Sequence, residues 1–341
     1  MINKIYEKVK KFMKENYLII LFCLVFYTTM TYPLPYYIYT GGGIIDVNDK
    51  IQVEDASKSK GTFNMCYVAE LQATIPFYLL SYIVPGWDLV SKEEVALSNN
   101  ETNEEVVIRD KIYLEQANQS AILTAYSNTN QYYKIKDTNP YIIYIEETSD
   151  TDLKIGDIIL NIDGNKITSL DDITNVLINK DIGSKVYIKV KNNNKEYTRY
   201  AVVKKDKDRK ILGIGVLIIY DYETDPEVEF SFLKSESGPS GGLILSLALY
   251  DKLVDDDITK GLKISGTGTI DIDGNVGSIG GVKYKLKGAV DSNSDIFLVP
   301  NGENYEECIK LQEKYNYDIK IIGVSTFEDA LSKLKNIRKN D

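Results

Sequence analysis

Histidine is absent from the 341 residues of the sequence. Without histidine the chain has no Ser-His-Asp triad and no histidine-ligated metal site. Any acid-base or nucleophilic chemistry must therefore use hydroxyls, carboxylates, lysines or thiols.

Cysteine is scarce, and the three residues Cys23, Cys66 and Cys308 show no C-x-x-C spacing. The absence of this spacing argues against a zinc site or a redox pair. Cys66 and Cys308 are predicted to be buried free thiols, with a disulfide between them as the alternative in an oxidising compartment. The stretch DIDGNVGSIGGV lacks the glycine and the glutamate that a calcium loop needs, so we expect no metal and no cofactor.

A basic surface and a nucleotide-binding loop are also missing. The net charge is −10, whereas proteins that bind nucleic acid usually carry a basic face. No G-x-x-x-x-G-K-[ST] sequence occurs, so ATP is not expected as a partner either.

The amino terminus has a basic start followed by a long uncharged stretch from Tyr17. This pattern predicts a cytoplasmic tail over residues 1–16 and a transmembrane anchor over 17–39, with the remainder outside the cytoplasm. A cleaved signal peptide is the competing interpretation, but no small-x-small cleavage site follows the apolar stretch.

Local patterns predict several elements of the remaining chain. Residues 61–70 form a strand and 109–128 a helix, with Ser169 capping a second helix and 185–203 forming a hairpin. A further hairpin turns at Asp273-Gly274, and a lysine-bearing helix starts near Val282.

Ser240 stands in a Gly-Pro-Ser-Gly-Gly turn before an apolar helix predicted over 241–254. Backbone N–H groups at the start of a helix can stabilise an alkoxide or an oxyanion, so the turn is suited to presenting a nucleophile. The alternative is a turn that only caps the helix.

A lysine can replace histidine as the base only if it is desolvated and neutral. Lys283 follows Gly280-Gly281, where a turn can fold its side chain inward, whereas Lys285 and Lys287 are expected to face solvent. The alternative is that all three lysines form a hydrated helix face.

The stretches GPSGG (238–242), ISGTGTIDIDGNVGSIGGVK (264–283) and LVPNGEN (298–304) resemble the proteolytic domain of Lon. The resemblance implies a Ser-Lys dyad with Ser240 as nucleophile and Lys283 as base, 43 residues apart. It also implies that the Ser265 hydroxyl helps to hold the lysine and that Gly238, Pro239 and Gly241 shape the turn.

Between these parts, the order of elements over 132–204 and the stretch GDIILNIDG resemble a PDZ domain. Such a domain would bind an extended peptide between a strand and a helix. The strand residues expected there are Tyr141, Ile142 and Ile143, and the helix residues are Val176 and Leu177.

Almost the whole chain resembles membrane-anchored, PDZ-containing Lon-type peptidases of Gram-positive bacteria. The resemblance implies an α+β fold with the PDZ domain (128–206) inserted between two parts of a proteolytic domain (45–127 and 207–341), after one transmembrane helix. It further implies an ATP-independent extracytoplasmic serine endopeptidase that acts on proteins or peptides and self-associates. A catalytically inactive, membrane-tethered peptide-binding adaptor is the alternative.

Overall fold

The computed structural model describes residues 2–95, 101–232 and 239–337. The helices in these ranges are α1 (Ile2–Thr31), α2 (Ile75–Ser81), α3 (Lys92–Val95), α4 (Asn103–Ser127), α5 (Leu170–Ile178), α6 (Gly242–Leu253), α7 (Val282–Asp291), α8 (Glu303–Tyr315) and α9 (Phe327–Asn336).

The first nine strands are β1 (Pro33–Asp46), β2 (Ile51–Val53), β3 (Thr62–Thr74), β4 (Asp88–Ser91), β5 (Tyr132–Ile145), β6 (Ile158–Ile162), β7 (Asn165–Lys166), β8 (Lys185–Asn192) and β9 (Lys195–Val202). The other strands are β10 (Lys204–Asp206), β11 (Arg209–Ile211), β12 (Ile214–Asp225), β13 (Val228–Phe230), β14 (Lys263–Gly266), β15 (Thr269–Ile270), β16 (Val276–Gly277), β17 (Ile296–Pro300) and β18 (Lys320–Val324). The fold is therefore α+β, as predicted.

The chain divides into two compact units, and the first consists of Met1–Gly41 with Val68–Ala96. Its long helix α1 is apolar enough over Lys4–Thr31 to cross a membrane, and none of the residues in this part of the helix is buried. These properties fit either a membrane anchor or a signal segment. The predicted span of 17–39 is too long, because the helix ends at Thr31 and Tyr36–Tyr39 pair with β4 in an antiparallel ladder.

The second unit consists of Gly42–Tyr67 with Leu97–Asp341. In it a parallel sheet has the order β18-β17-β14-β3. Apolar residues from widely separated parts of the sequence form one core around this sheet, among them Phe63, Ala121, Leu247 and Phe327. Residues before 127 and after 239 therefore fold together.

A second sheet, in the order β12-β5-β6-β8-β9, surrounds a separate apolar core. Strand β12 pairs with β5 from Ile214 opposite Ile145 to Asp225 opposite Tyr132, so the chain enters and leaves this sheet at paired residues. The predicted boundary at 206 is too early, because β12 belongs to this sheet.

Helix α4 lies between the two cores. It begins with a capping box in which Thr102 and Glu105 exchange side-chain and backbone hydrogen bonds. The buried small residues Ala117, Ala121 and Ala125 lie along its length, and α4 packs against both α6 and β12. Small side chains allow the close approach of neighbouring elements that this position requires.

Most of the local predictions are confirmed. The predicted strand at 61–70 agrees with β3 to within one residue at its start, the predicted helix at 109–128 agrees with α4 to within one residue at its end, and β8 and β9 form the predicted hairpin. The turn residues Asn193 and Asn194 of that hairpin both have positive φ, as a tight hairpin turn requires. Ser169 caps α5 in a capping box with Asp172.

Candidate active site

Ser240 lies in a short 3₁₀ turn, Pro239–Gly241, directly before α6. The carbonyl oxygen of Ser240 accepts hydrogen bonds from the Gly268 amide at 2.7 Å and from the Thr267 hydroxyl at 3.1 Å. The side chain is partly exposed, Pro239 is exposed and Gly241 is buried. The predicted residue Gly238 lies outside the described residues. The turn is therefore held firmly while its hydroxyl stays accessible.

The lysine at this turn is Lys285. Its Nζ lies 2.8 Å from Ser240 Oγ and 3.2 Å from Thr267 Oγ1. Only 5% of the Lys285 residue is exposed. The structure thus brings a buried amine to the hydroxyl of the predicted nucleophile.

The prediction that Lys283 faces Ser240 is wrong. Lys283 is exposed, and its Nζ lies 4.8 Å from the centre of the Tyr284 ring. Residues two apart on an α-helix point to nearly opposite sides, because each residue turns the helix by about 100°. On α7 the inward side carries the buried residues Val282, Leu286 and Ala289, and Lys285 lies on that side.

The role expected of Ser265 is taken by Thr267, which sequence reasoning missed. Ser265 Oγ lies 2.6 Å from Ser294 Oγ, whereas the Thr267 hydroxyl contacts both Lys285 and the Ser240 carbonyl. Thr267 is fully buried, two residues after Ser265. The sequence signal that could have identified Thr267 is the second hydroxyl residue in the SGTGT stretch.

Burial lowers the pKa of Lys285 from 10.5 to about 8. Cys66, the titratable group that acts electrostatically on Lys285, has its own pKa raised to about 12 by burial, despite the opposing effect of Lys285. The thiol is therefore neutral near pH 7 and gives the ammonium form no counter-charge. A useful fraction of Lys285 is neutral at a pH slightly above 7.

Thr267 determines which hydrogen bonds the amine can form. A hydroxyl has one proton to donate, and Thr267 donates it to the Ser240 carbonyl. Towards Lys285 the Thr267 oxygen can then act only as acceptor, so a neutral Lys285 directs an N–H to Thr267. This arrangement leaves the single lone pair of the amine for the proton of Ser240.

Cys66 and Cys308 are both free and buried, as predicted, and they belong to one apolar cluster with Val282 and Leu286 of α7. Within residues 2–95, 101–232 and 239–337, no group of three or more cysteine or acidic side chains is placed to hold a metal ion.

The predicted peptide groove beside β5 is wrong. β5 pairs with β12 on one side, and on the other side Tyr141 pairs with Ile158 of β6. Tyr141 and Ile143 pack with Ile112 of α4. Ile142 and Leu177 are buried in the second core, where Val176 packs against them. Strand edges depend on pairing between distant segments, which local patterns do not specify.

The edge of this sheet nearest to α4 is β12. Ile142 of β5 directs its amide and carbonyl groups to β6. Val216 of β12 lies opposite Ile142, so the amide and carbonyl groups of Val216 point away from β5. Directions alternate along a strand, and Ile218 therefore points away from β5 as well. At Tyr220 the outward amide donates to the Gln119 side chain of α4 at 2.8 Å. The apolar residues Ile214 and Val216 of β12 and Ile173 and Val176 of α5 are half-buried on the same core.

Comparisons with known proteins identify two segments of the second unit. A family model described as the Lon protease (S16) C-terminal proteolytic domain matches residues 234–336, and a PDZ domain model matches residues 127–200. The chain therefore carries a Lon-type proteolytic domain and a PDZ domain.

Similar sequences include the Lon protease of Aster yellows witches'-broom phytoplasma, which is 32% identical over 99 residues. The Lon protease of Campylobacter jejuni is 34% identical over 97 residues. These matches cover 29% and 28% of this chain but only 12% of each relative. Among solved structures, the PDZ domain of an SdrC-like protein from Listeria monocytogenes is 23% identical, covering 25% of this chain and 93% of that one with a TM-score of 0.22.

Gly241 leaves space for the side chain of Met65. A Cβ atom at position 241 would lie 2.1 Å from Met65 Sδ. We predict that Gly241→Ala lowers the free energy of unfolding by about 1–3 kcal/mol, the usual effect of overpacking a core. Urea denaturation of Gly241→Ala, Met65→Ala and the double variant would measure this. The double variant should lose less than the sum of the single losses, and strict additivity would contradict the prediction.

The lowered pKa of Lys285 predicts a dependence of stability on pH. The unfolded chain keeps the lysine proton up to about 10.5, whereas the folded chain releases it near 8. The free energy of unfolding should therefore rise with pH between these values, and the cost of the buried ammonium is fully present below about 8.

Removing the amine should abolish this cost. We predict that Lys285→Met raises the free energy of unfolding at pH 7 by about 3 kcal/mol, since one pKa unit corresponds to about 1.4 kcal/mol. The gain over wild type should shrink towards pH 10 in urea denaturation experiments. An equal gain at both pH values would show that the Lys285 pKa is unshifted.

Proposed function

We propose that the Lon-type proteolytic domain of this chain is a serine endopeptidase with Ser240 as nucleophile and Lys285 as general base. The observation that carries this proposal is the 2.8 Å contact between Ser240 Oγ and the buried Nζ of Lys285. A hydroxyl next to a desolvated amine is an activated nucleophile that needs no histidine.

In the first half-reaction, neutral Lys285 accepts the Ser240 proton while Oγ forms a bond to the carbonyl carbon of the substrate. The resulting ammonium gives its proton to the departing amine as the C–N bond breaks, and an acyl-enzyme remains. In the second half-reaction Lys285 takes a proton from water as the water oxygen attacks the ester carbon. The resulting ammonium returns the proton to Ser240 Oγ as the bond between Oγ and the acyl carbon breaks and the carboxylic acid product leaves.

The start of α6 is suited to stabilising the oxyanion. No side chain caps this helix, and the Leu243 amide is already bound to the Gly268 carbonyl at 3.1 Å. We assign the stabilising role to the amides of Gly241 and Gly242, because glycine lets a substrate carbonyl approach the helix start closely.

We further propose that the enzyme is anchored in a membrane by α1 and acts outside the cytoplasm without ATP. The lysines before Tyr17 favour a cytoplasmic amino terminus, and the sequence contains no nucleotide-binding loop. The PDZ domain is inserted between the two parts of the proteolytic domain, and it delivers protein or peptide substrates.

The catalytic assignment predicts opposite results at two neighbouring lysines. Lys285→Met should lower kcat/KM for casein, assayed without ATP, by at least about a hundredfold because the general base is lost. Lys283→Met removes an equal charge from the exposed side of α7 and should stay within about twofold of wild type. Ser240→Ala should match Lys285→Met.

The pH profile gives a second readout of the same assignment. The wild-type kcat/KM should rise about tenfold per pH unit below about 8 and then level off, because only the neutral amine accepts the serine proton. Turnover by Lys285→Met comparable to wild type would exclude this mechanism, and an inactive wild type would favour a tethered peptide-binding adaptor.

For the PDZ domain, we propose that an extended peptide adds to the outer edge of β12 beside α5. Val216 and Ile218 supply outward amide and carbonyl groups there. Ile173 and Val176 of α5 supply apolar contacts. Addition of a strand to a sheet edge obtains its affinity from such backbone hydrogen bonds.

Proline at an outward position removes one of these amides but is tolerated on an edge strand. We predict that Ile218→Pro lowers kcat/KM for casein about tenfold, mainly by raising KM. The reason is that the bound peptide loses its hydrogen bond to the amide at position 218 and the adjacent backbone hydrogen bonds to β12. Hydrolysis of a peptide too short to reach the PDZ domain should be unchanged.

The matched control is Glu196→Pro on β9, at the opposite edge of the same sheet. Tyr200 directs its amide outward to Asp152, so Glu196 faces outward by alternation. Casein turnover by this variant should equal wild type. Equal losses in both variants would indicate general damage to the PDZ domain and would contradict binding at β12.

A further inference from the structure

The first unit has a continuous apolar surface after β3. Residues 75–87, IPFYLLSYIVPGW, contain no charged side chain. Leu79 is 60% exposed, Tyr82 72% and Ile83 75%, and Phe77 and Leu80 are also exposed. Single exposed apolar residues are common, but a contiguous group marks a surface that contacts something other than water.

This surface lies at the end of α1. The Tyr36 ring, just after α1 ends, packs against the Tyr78 ring of α2 with centroids 5.4 Å apart. The Gln72 amide binds the Leu34 and Tyr36 carbonyls, which ties the start of β1 to the end of β3. α2 itself is within contact distance of α1. The apolar side chains of α1 are exposed as well, so a medium that covers α1 continues over α2.

The composition of the surface identifies that medium. Tyr78, Tyr82 and Trp87 carry a polar atom on an apolar ring, which is the side-chain type concentrated where a bilayer meets water. The Tyr82 and Tyr78 hydroxyls are 3.1 Å apart, and the Trp87 ring packs edge-on against Phe77 at 6.1 Å. Apolar side chains at Leu79, Leu80 and Ile83 accompany these rings.

We propose that residues 75–87 lie in the interfacial layer of the bilayer that α1 spans, as a second lipid contact of the first unit. This inference rests on the proposed membrane anchor and adds a distinct surface to it. A single spanning helix leaves the unit beside it free to tilt against the membrane surface. A second contact beside the helix end limits that tilt and fixes which face of the first unit is turned to the membrane.

Trp87 is the single tryptophan of the chain, so tryptophan emission reports on this surface alone. The full chain would be reconstituted in phosphatidylcholine vesicles that carry bromine on the acyl chains, either near the headgroup or near the chain end. We expect a roughly twofold loss of Trp87 emission with bromine near the headgroup and a smaller loss with bromine near the chain end, as for interfacial tryptophan.

Two variants make the measurement specific. Leu79→Asp combined with Ile83→Asp places charges on the surface and should abolish most of the bromine quenching. Ile182→Asp changes an equally apolar residue, 56% exposed in the PDZ domain, and should leave the quenching as in wild type.

Vesicle flotation in the same samples separates this inference from the anchor. Protein that floats without headgroup-bromine quenching would overturn the inference and leave the anchor intact. Shielding of Trp87 from both lipid bromine and aqueous acrylamide would also overturn it, because a protein surface then covers the segment. Wild-type protein that fails to float would refute the anchor, and the second lipid contact with it.

Discussion

A primary amine held inside an apolar cluster is the constraint on which the candidate active site depends. Lys285 lies on the side of α7 that carries Val282, Leu286 and Ala289. Its described polar partners are two hydroxyls, those of Ser240 and Thr267. In this setting the ammonium form loses hydration without gaining a counter-charge, which is why its pKa falls. The neighbouring elements serve to position those two hydroxyls.

The two hydroxyls come from segments that are themselves bound together. Ser240 precedes α6 and Thr267 follows β14, and the Ser240 carbonyl accepts from both Thr267 and Gly268. β14 in turn pairs with β3 on one side and β17 on the other. A movement of the nucleophile turn would therefore break hydrogen bonds to the residues that follow β14, at the carboxyl end of this interior strand. This connection keeps Ser240 within reach of the Lys285 amine.

Helix α4 is the element that the two domains share. It packs on α6 and on the Pro239–Gly241 turn, and also on β12 and β5. Gln119 of α4 binds the Tyr220 amide on the same edge of β12 where we place the peptide. The peptide edge and the nucleophile turn are thus in contact with one rigid helix. Packed contacts of this kind are one route by which a bound peptide can be coupled to the active site.

Much of the fold was accessible from the sequence because it is specified locally. The Ser240 turn, the helices that follow Gly241 and Gly281, and the hairpin with Asn193 and Asn194 all depend on nearby residues. The edge strand of the PDZ domain was not accessible, because β5 gains its second neighbour from β12, about 70 residues away. The predicted membrane anchor was too long for a similar reason. Tyr36–Tyr39 belong to a strand that pairs with β4, and not to the helix.

The error at the lysine has a different origin, because the correct answer was present in the sequence. Val282, Leu286 and Ala289 follow the i, i+4, i+7 spacing of a buried helix face, and Lys285 stands at i+3 within it. Lys283 lies outside that spacing. A lysine inside an apolar stripe costs stability, on the order of 3 kcal/mol for a pKa near 8. A position that violates the pattern at such a cost is where chemistry is most expected, so helical periodicity is a better guide to the base than its distance from the glycine pair.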